Sequence, residues 1–155
     1  MNLTLAAIFM AALSSTVVDK TGPDTAVRHI TGKELSETLQ KGMTPGALYS
    51  QVVLAKKPNY MIYTTTRDTS GQSEIHDGWN DNIFIKEGEA SFVLGGKATD
   101  AKEREPGEKR GSVIEGGTTS VTKVGDYLFI PAGVPHQMIV KPGQRVTFIS
   151  FKTHK

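Results

Sequence analysis

The residues best suited to chemistry are two histidines and the acids around them. His76 lies in Glu74-Ile75-His76-Asp77-Gly78-Trp79-Asn80-Asp81. Side chains alternate along a strand, so Glu74 and His76 share a face, and Asp81, after a short turn, returns to it. His136 follows Gly125-Asp126-Tyr127-Leu128-Phe129-Ile130-Pro131-Ala132-Gly133-Val134-Pro135. It is far along the chain, yet a closed barrel would bring it beside His76. Two imidazoles with one or two carboxylates suit Fe(II), Mn(II), Ni(II) or Zn(II). With one carboxylate and open positions, the set resembles the facial arrangement of non-haem iron oxygenases. With both carboxylates bound, the dication is neutralised and acidifies a bound water less. If Glu74 stays off the metal, it is a candidate general base for abstracting a proton next to a carbonyl.

A single strand histidine is more often structural than ligating, so the elements around these residues decide the reading. From Ala47 onward, short β-branched and aromatic runs alternate with Gly, Pro, Asn and Asp clusters. The pattern predicts strands near 47–55, 58–66, 73–77, 82–87, 89–95, 112–114, 119–123, 127–130, 134–140 and 144–152, and hence an all-β barrel or sandwich. Glu87-Gly88-Glu89 and Lys141-Pro142-Gly143-Gln144 read as tight turns. Lys97–Arg110, dense in charges of both signs, reads as a solvated loop. Before the strands, Lys20–Asp24 reads as a linker and Ala26–Ile30 as a short extended piece. Thr31 with Glu34 forms a capping-box pattern that starts a helix from about 32 to 40.

Gly125, Pro131, Gly133 and His136 fit G-x5-P-x-G-x2-H, the second motif of the cupin family, without a gap. His76, Asp81 and Gly88 match the second His, the acid and the Gly of the first cupin motif. The chain therefore resembles a small single-domain cupin with a degenerate first motif. It departs from the pattern at Glu74, which stands for the first His, at Asp81, which stands for Glu, and at Val140, which stands for the closing Asn. The resemblance implies an all-β double-stranded β-helix, or jelly-roll barrel, with one short N-terminal helix. It also implies a divalent transition metal (Fe, Mn, Ni or Zn) held by Glu74, His76, Asp81 and His136, and a homodimer formed through sheet edges. Gly125, Asp126, Pro131 and Gly133 are read as shaping the approach to His136. Trp79, in the turn between candidate ligands, and Tyr63 are candidate substrate-binding residues, with Tyr60 a further lining candidate. Asp77 and Gln137 should point away from the site. His29 reads as an edge-strand residue and His154 as tail.

Composition bounds what remains. The 155 residues are 37% hydrophobic and 22% charged, which suits one folded domain. A net charge of +2 gives no electrostatic case for nucleic acid or an anionic membrane. The lack of cysteine removes disulfides, thiolate metal sites and thiol nucleophiles. Leu3–Leu13 is a largely apolar run, short of the roughly 20 residues that span a bilayer but suited to a secretory leader. It lacks a preceding basic residue. The expected organisation is a signal peptide over 1–18, a linker and short helix over 19–46, and the barrel over 47–155. The protein would then be periplasmic or secreted, with the cytoplasm as the alternative. The expected function is a metal-dependent enzyme acting on a small polar molecule, of isomerase, lyase or dioxygenase type. The alternatives are a non-catalytic module that binds a sugar or carboxylate, and a barrel whose site has decayed.

Overall fold

Alternating apolar and polar residues between turn-formers commit this chain to strands. In the computed structural model, which describes residues 14–155, these are β1 (Ser14–Asp19), β2 (Ala47–Lys56), β3 (Tyr60–Arg67), β4 (Ser73–His76), β5 (Trp79–Leu94), β6 (Lys97–Ala98), β7 (Lys102–Glu105), β8 (Glu108–Gly111), β9 (Ile114–Glu115), β10 (Thr118–Lys123), β11 (Tyr127–Ile130), β12 (His136–Ile139) and β13 (Val146–His154). The helix α1 (Gly32–Gly42) lies between β1 and β2. Its start is fixed as the capping pattern requires: the Thr31 hydroxyl accepts the Glu34 N–H at 3.1 Å. Leu39 is its buried anchor, and the helix packs against β2. It is not long and apolar enough to cross a membrane.

β5 organises the barrel because it belongs to both walls. Its first half pairs antiparallel with β13 on one side and β11 on the other. Its second half pairs with β10 and β12. The first wall continues from β13 through β3 and β2 to β1, and the second from β12 through β4 and β8 to β7. The turn expected at Glu87-Gly88-Glu89 is therefore a bend inside one continuous strand. Gly88 has φ +73°, and the pairing with β13 shifts register beside it, between Thr147 and Phe148. Both walls bury their inner faces in one core of Ile83, Ile85, Ala90, Phe92, Ile130, Met138, Val140, Val146 and Phe148.

Three further expectations change. Lys97–Arg110 is not a loop: it carries β6, β7 and β8, and the β7–β8 hairpin extends the second wall from β4. Its charges project from paired backbone, which composition alone cannot separate from a solvated loop. Ala26–Ile30 forms no strand, and His29 is exposed. His154 is the last residue of β13 rather than tail. The apolar run Leu3–Leu13 lies outside the described residues. Residues 15–19 of β1 run parallel along β2 in unbroken register.

A Cβ on Gly88 would stand 2.0 Å from the Arg145 carbonyl oxygen, whereas one on Gly143, also at positive φ, would meet nothing within 4 Å. Gly88→Ala should therefore destabilise the fold by about 2–4 kcal/mol, against about 1 kcal/mol for Gly143→Ala. Urea unfolding of the two variants checks this, and equal midpoints would remove the bend from the account.

Candidate metal centre

Glu74 and His136 are direct cross-strand partners of β4 and β12, and His76 closes β4 two residues on. Asp81 enters from β5, where it faces Lys152 of β13. The turn before His136 ties these strands together. Gly133, at φ +84°, gives its N–H to the His76 carbonyl at 2.8 Å. Ala132 N–H donates to the Asn80 side chain at 2.9 Å. The Gly125-Asp126 turn forms as expected, with Asp126 N–H donating to the Lys123 carbonyl at 2.9 Å.

The two rings are 5.0 Å apart between centroids, and both are buried. Asp81 Oδ2 is 3.3 Å from each Nε2. Glu74 Oε2 is 3.3 Å from His76 Nε2 and 3.8 Å from His136 Nε2. Glu74, His76 and His136 offer ligand atoms that all lie within 4.8 Å of one another. The outer nitrogens are anchored as well. His136 Nδ1–H donates to the Val134 carbonyl at 3.0 Å, and His76 Nδ1–H to Glu108 Oε2 at 2.5 Å. In the neutral rings this leaves both Nε2 lone pairs facing the centre, the tautomer that a metal requires.

Charge around the centre is closely balanced. Burial raises the Asp81 carboxyl, but hydrogen bonds from His136 and His76 and the charge of Lys152 outweigh it and hold the group well below the usual range. Burial likewise raises Glu74, yet its bond to His76 and the charges of Arg110 and the imidazoles bring it to about 2. His76 is lowered by burial and raised more by Asp81 and Glu74, to about 9, with Lys152 working against them. The Lys152 amine is 2.8 Å from His76 Nε2 and 3.1 Å from Asp81 Oδ1. A protonated ring has no lone pair there for the ammonium, so the two cations compete for the Asp81 carboxylate. Among the described residues that buried Asp81 oxygen has no hydrogen-bond partner, because Lys152 approaches it off axis.

The centre opens into a cavity of about 540 Å3. Trp79 and Tyr63 line it, as expected, and Arg67, Arg110 and Lys152 add cationic groups. Burial, together with Asp81 and Glu74, pushes the Tyr63 phenol well above its ordinary pKa, so it remains a donor. Trp79 also packs edge-on against His154, with centroids 4.9 Å apart. Tyr60 instead packs on Phe151 and is not part of the lining. Asp77 points away and pairs with Lys109 at 2.6 Å. Gln137, expected outside, is buried and donates to the Gly71 and Ser112 carbonyls. Val140, in place of the motif's Asn, is core.

Sequence reasoning missed Glu108, Arg110 and Lys152. Arg110 lies 3.5 Å from Glu74 Oε1 and 3.4 Å from Glu108 Oε2. Lys152 had one available signal: it shares strand parity with Phe148 and Ser150, which line the cavity with it.

No protein-family model and no curated protein matches the chain. Solved structures do. An uncharacterized conserved protein with a double-stranded β-helix domain from Klebsiella pneumoniae aligns at a TM-score of 0.58 and 15% identity, over 83% of this chain and 90% of that one. A cupin superfamily protein from Desulfitobacterium hafniense aligns at 0.51 and 16%, over 69% and 78%. The chain spans 65% of the length of the polyketide cyclase RemF from Streptomyces resistomycificus, over 68% of its own length, at 20% identity and a TM-score of 0.49, too loose a likeness to argue from. At these identities the similarity establishes the fold, which is the cupin double-stranded β-helix.

The shifted groups give the metal-free protein a defined stability window. Glu74 and Asp81 are depressed, so their contribution is complete above their unfolded values of 4.5 and 3.8 and is lost as pH falls through the folded values. His76 is raised, so its contribution is complete below 6.5 and is lost as pH rises to about 9. Melting temperature in chelator should therefore be highest between about pH 4.5 and 6.5. His76→Gln should remove most of the alkaline decline, and a wild-type Tm constant from pH 6.5 to 9 would contradict the assignment.

Proposed function

We propose that this chain is a metal-binding protein of the cupin fold that takes a small polar organic molecule into its barrel and acts on it as an enzyme. One observation carries the reading: two imidazole Nε2 atoms and a carboxylate converge beside a ligand-sized cavity that Glu74 and His136 line, with each Nδ1 anchored by an acceptor. The donor set fits a divalent transition ion, and the buried Asp81 oxygen without a hydrogen bond is a further acceptor at that point. Glu74, His76 and His136 would hold the ion, with Asp81 beside them. When bound, it would supply Lewis acidity toward a carbonyl or hydroxyl oxygen.

The chain's own residues divide the remaining work. Glu74, held ionised down to about 2, suits ligation better than proton abstraction, because so weak a base has little driving force near neutral pH. Tyr63 keeps its proton, so its hydroxyl is available to donate to a ligand in the cavity that it lines, while Trp79 walls it. Arg67 and Arg110 favour a ligand with anionic or strongly polar groups. The same cationic lining supports a second reading, a module that holds a sugar or carboxylate without turning it over.

Metal analysis of protein purified without added metal tests the reading. About one divalent ion per chain is expected, falling to near none in folded His76→Ala and His136→Ala. No ion in wild type, with both variants folding normally, would overturn it. A screen of small acids, sugars and enols with and without oxygen then separates the readings: consumption marks the enzyme, and saturable binding without consumption marks the module.

A further inference from the structure

The amine at the heart of this centre belongs to neither part of the function just proposed. Lys152 is 7% exposed, projects inward from β13, and places its nitrogen within 3.1 Å of both His76 Nε2 and Asp81 Oδ1. These atoms face the region where an ion shared with His136 and Glu74 would stand. A divalent ion on His76 Nε2 would stand a few ångströms from the ammonium in a buried site, and its double charge repels the amine more strongly than the single charge of a protonated ring does. We propose that the Lys152 ammonium and a divalent cation are alternative occupants of this centre, so that loading the metal expels the Lys152 amine toward the cavity. The inference rests on the metal reading above and adds to it a resident competitor.

Three features make the exchange physical. First, without metal the buried Asp81 carboxylate needs positive charge nearby, and Lys152 supplies part of it from the chain itself at 3.1 Å. Second, its hold is imperfect. The contact to Asp81 Oδ1 is ionic but not aligned as a hydrogen bond, so that oxygen is left for a better-placed cation. Third, the amine has somewhere to go. Lysine carries a compact charge on a flexible four-carbon stem, and Lys152 lines a cavity of about 540 Å3. A purely structural ion pair would have neither the adjoining space nor an anchored imidazole nitrogen at 2.8 Å from the amine.

Zn(II) is the probe, added to full-length protein stripped with chelator. Nitrogen-15 spectra of lysine ammonium groups follow Lys152, whose signal is identified by its loss in Lys152→Met. One equivalent of Zn(II) should shift or abolish that signal in wild type but not in His136→Ala. Calorimetry should show Lys152→Met binding Zn(II) about tenfold more tightly or better, since the competitor is gone. Equal affinities with an unmoved Lys152 signal, in protein that does bind Zn(II) through His136, would overturn the exchange and leave the metal reading standing. Failure of wild type and Lys152→Met alike to bind Zn(II) would overturn both. If Lys152→Met does not fold without metal, the wild-type spectra and His136→Ala decide the matter.

Discussion

A carboxylate sealed inside a β-barrel cannot stay ionised without positive charge within a few ångströms, and Asp81 sets that requirement here. It is 3% exposed and is surrounded by His76, His136 and Lys152, which come from three different strands. Those strands meet only because β5, which carries Asp81, serves both walls. The bend at Gly88 and the pairing of β12 with β4 thus have a chemical purpose as well as a topological one: they bring acid and imidazoles from distant parts of the chain to one point.

The second layer gives the centre its direction. Glu108 and the Val134 carbonyl each take the outer proton of an imidazole, and Arg110 bridges Glu108 and Glu74. Rings so held present their inner nitrogens at a fixed angle and lose little freedom on binding a cation. Glu108 and Arg110 come from the β7–β8 hairpin, a segment with no apolar core of its own. It is held against β4 by backbone pairing on one side and by the carboxylate–imidazole contact on the other.

Much of this was legible in the sequence. The glycine and proline spacing before His136 and the alternation of Glu74 with His76 placed both rings on inner faces, and the structure brings them together. What escaped was information held in pairing partners. Gly88 reads as a turn because positive φ serves turns and bends alike; only the strands beside it show the chain running on. Lys97–Arg110 reads as loop because paired edge strands can be as charged as solvated ones. Gln137 was placed outside by parity, but the segments carrying Gly71 and Ser112 cover that face and accept its amide protons. Lys152 shares parity with inward neighbours, yet an inward lysine gains meaning only once the acid across from it is known.

The most direct measurement is X-ray absorption at the metal edge of protein loaded with one equivalent of Zn(II) or Co(II). The account predicts a mononuclear shell with two imidazole nitrogens and carboxylate oxygens, reduced to one imidazole in His136→Ala. A shell of water and carboxylate oxygens alone, or one unchanged in His136→Ala, would contradict it.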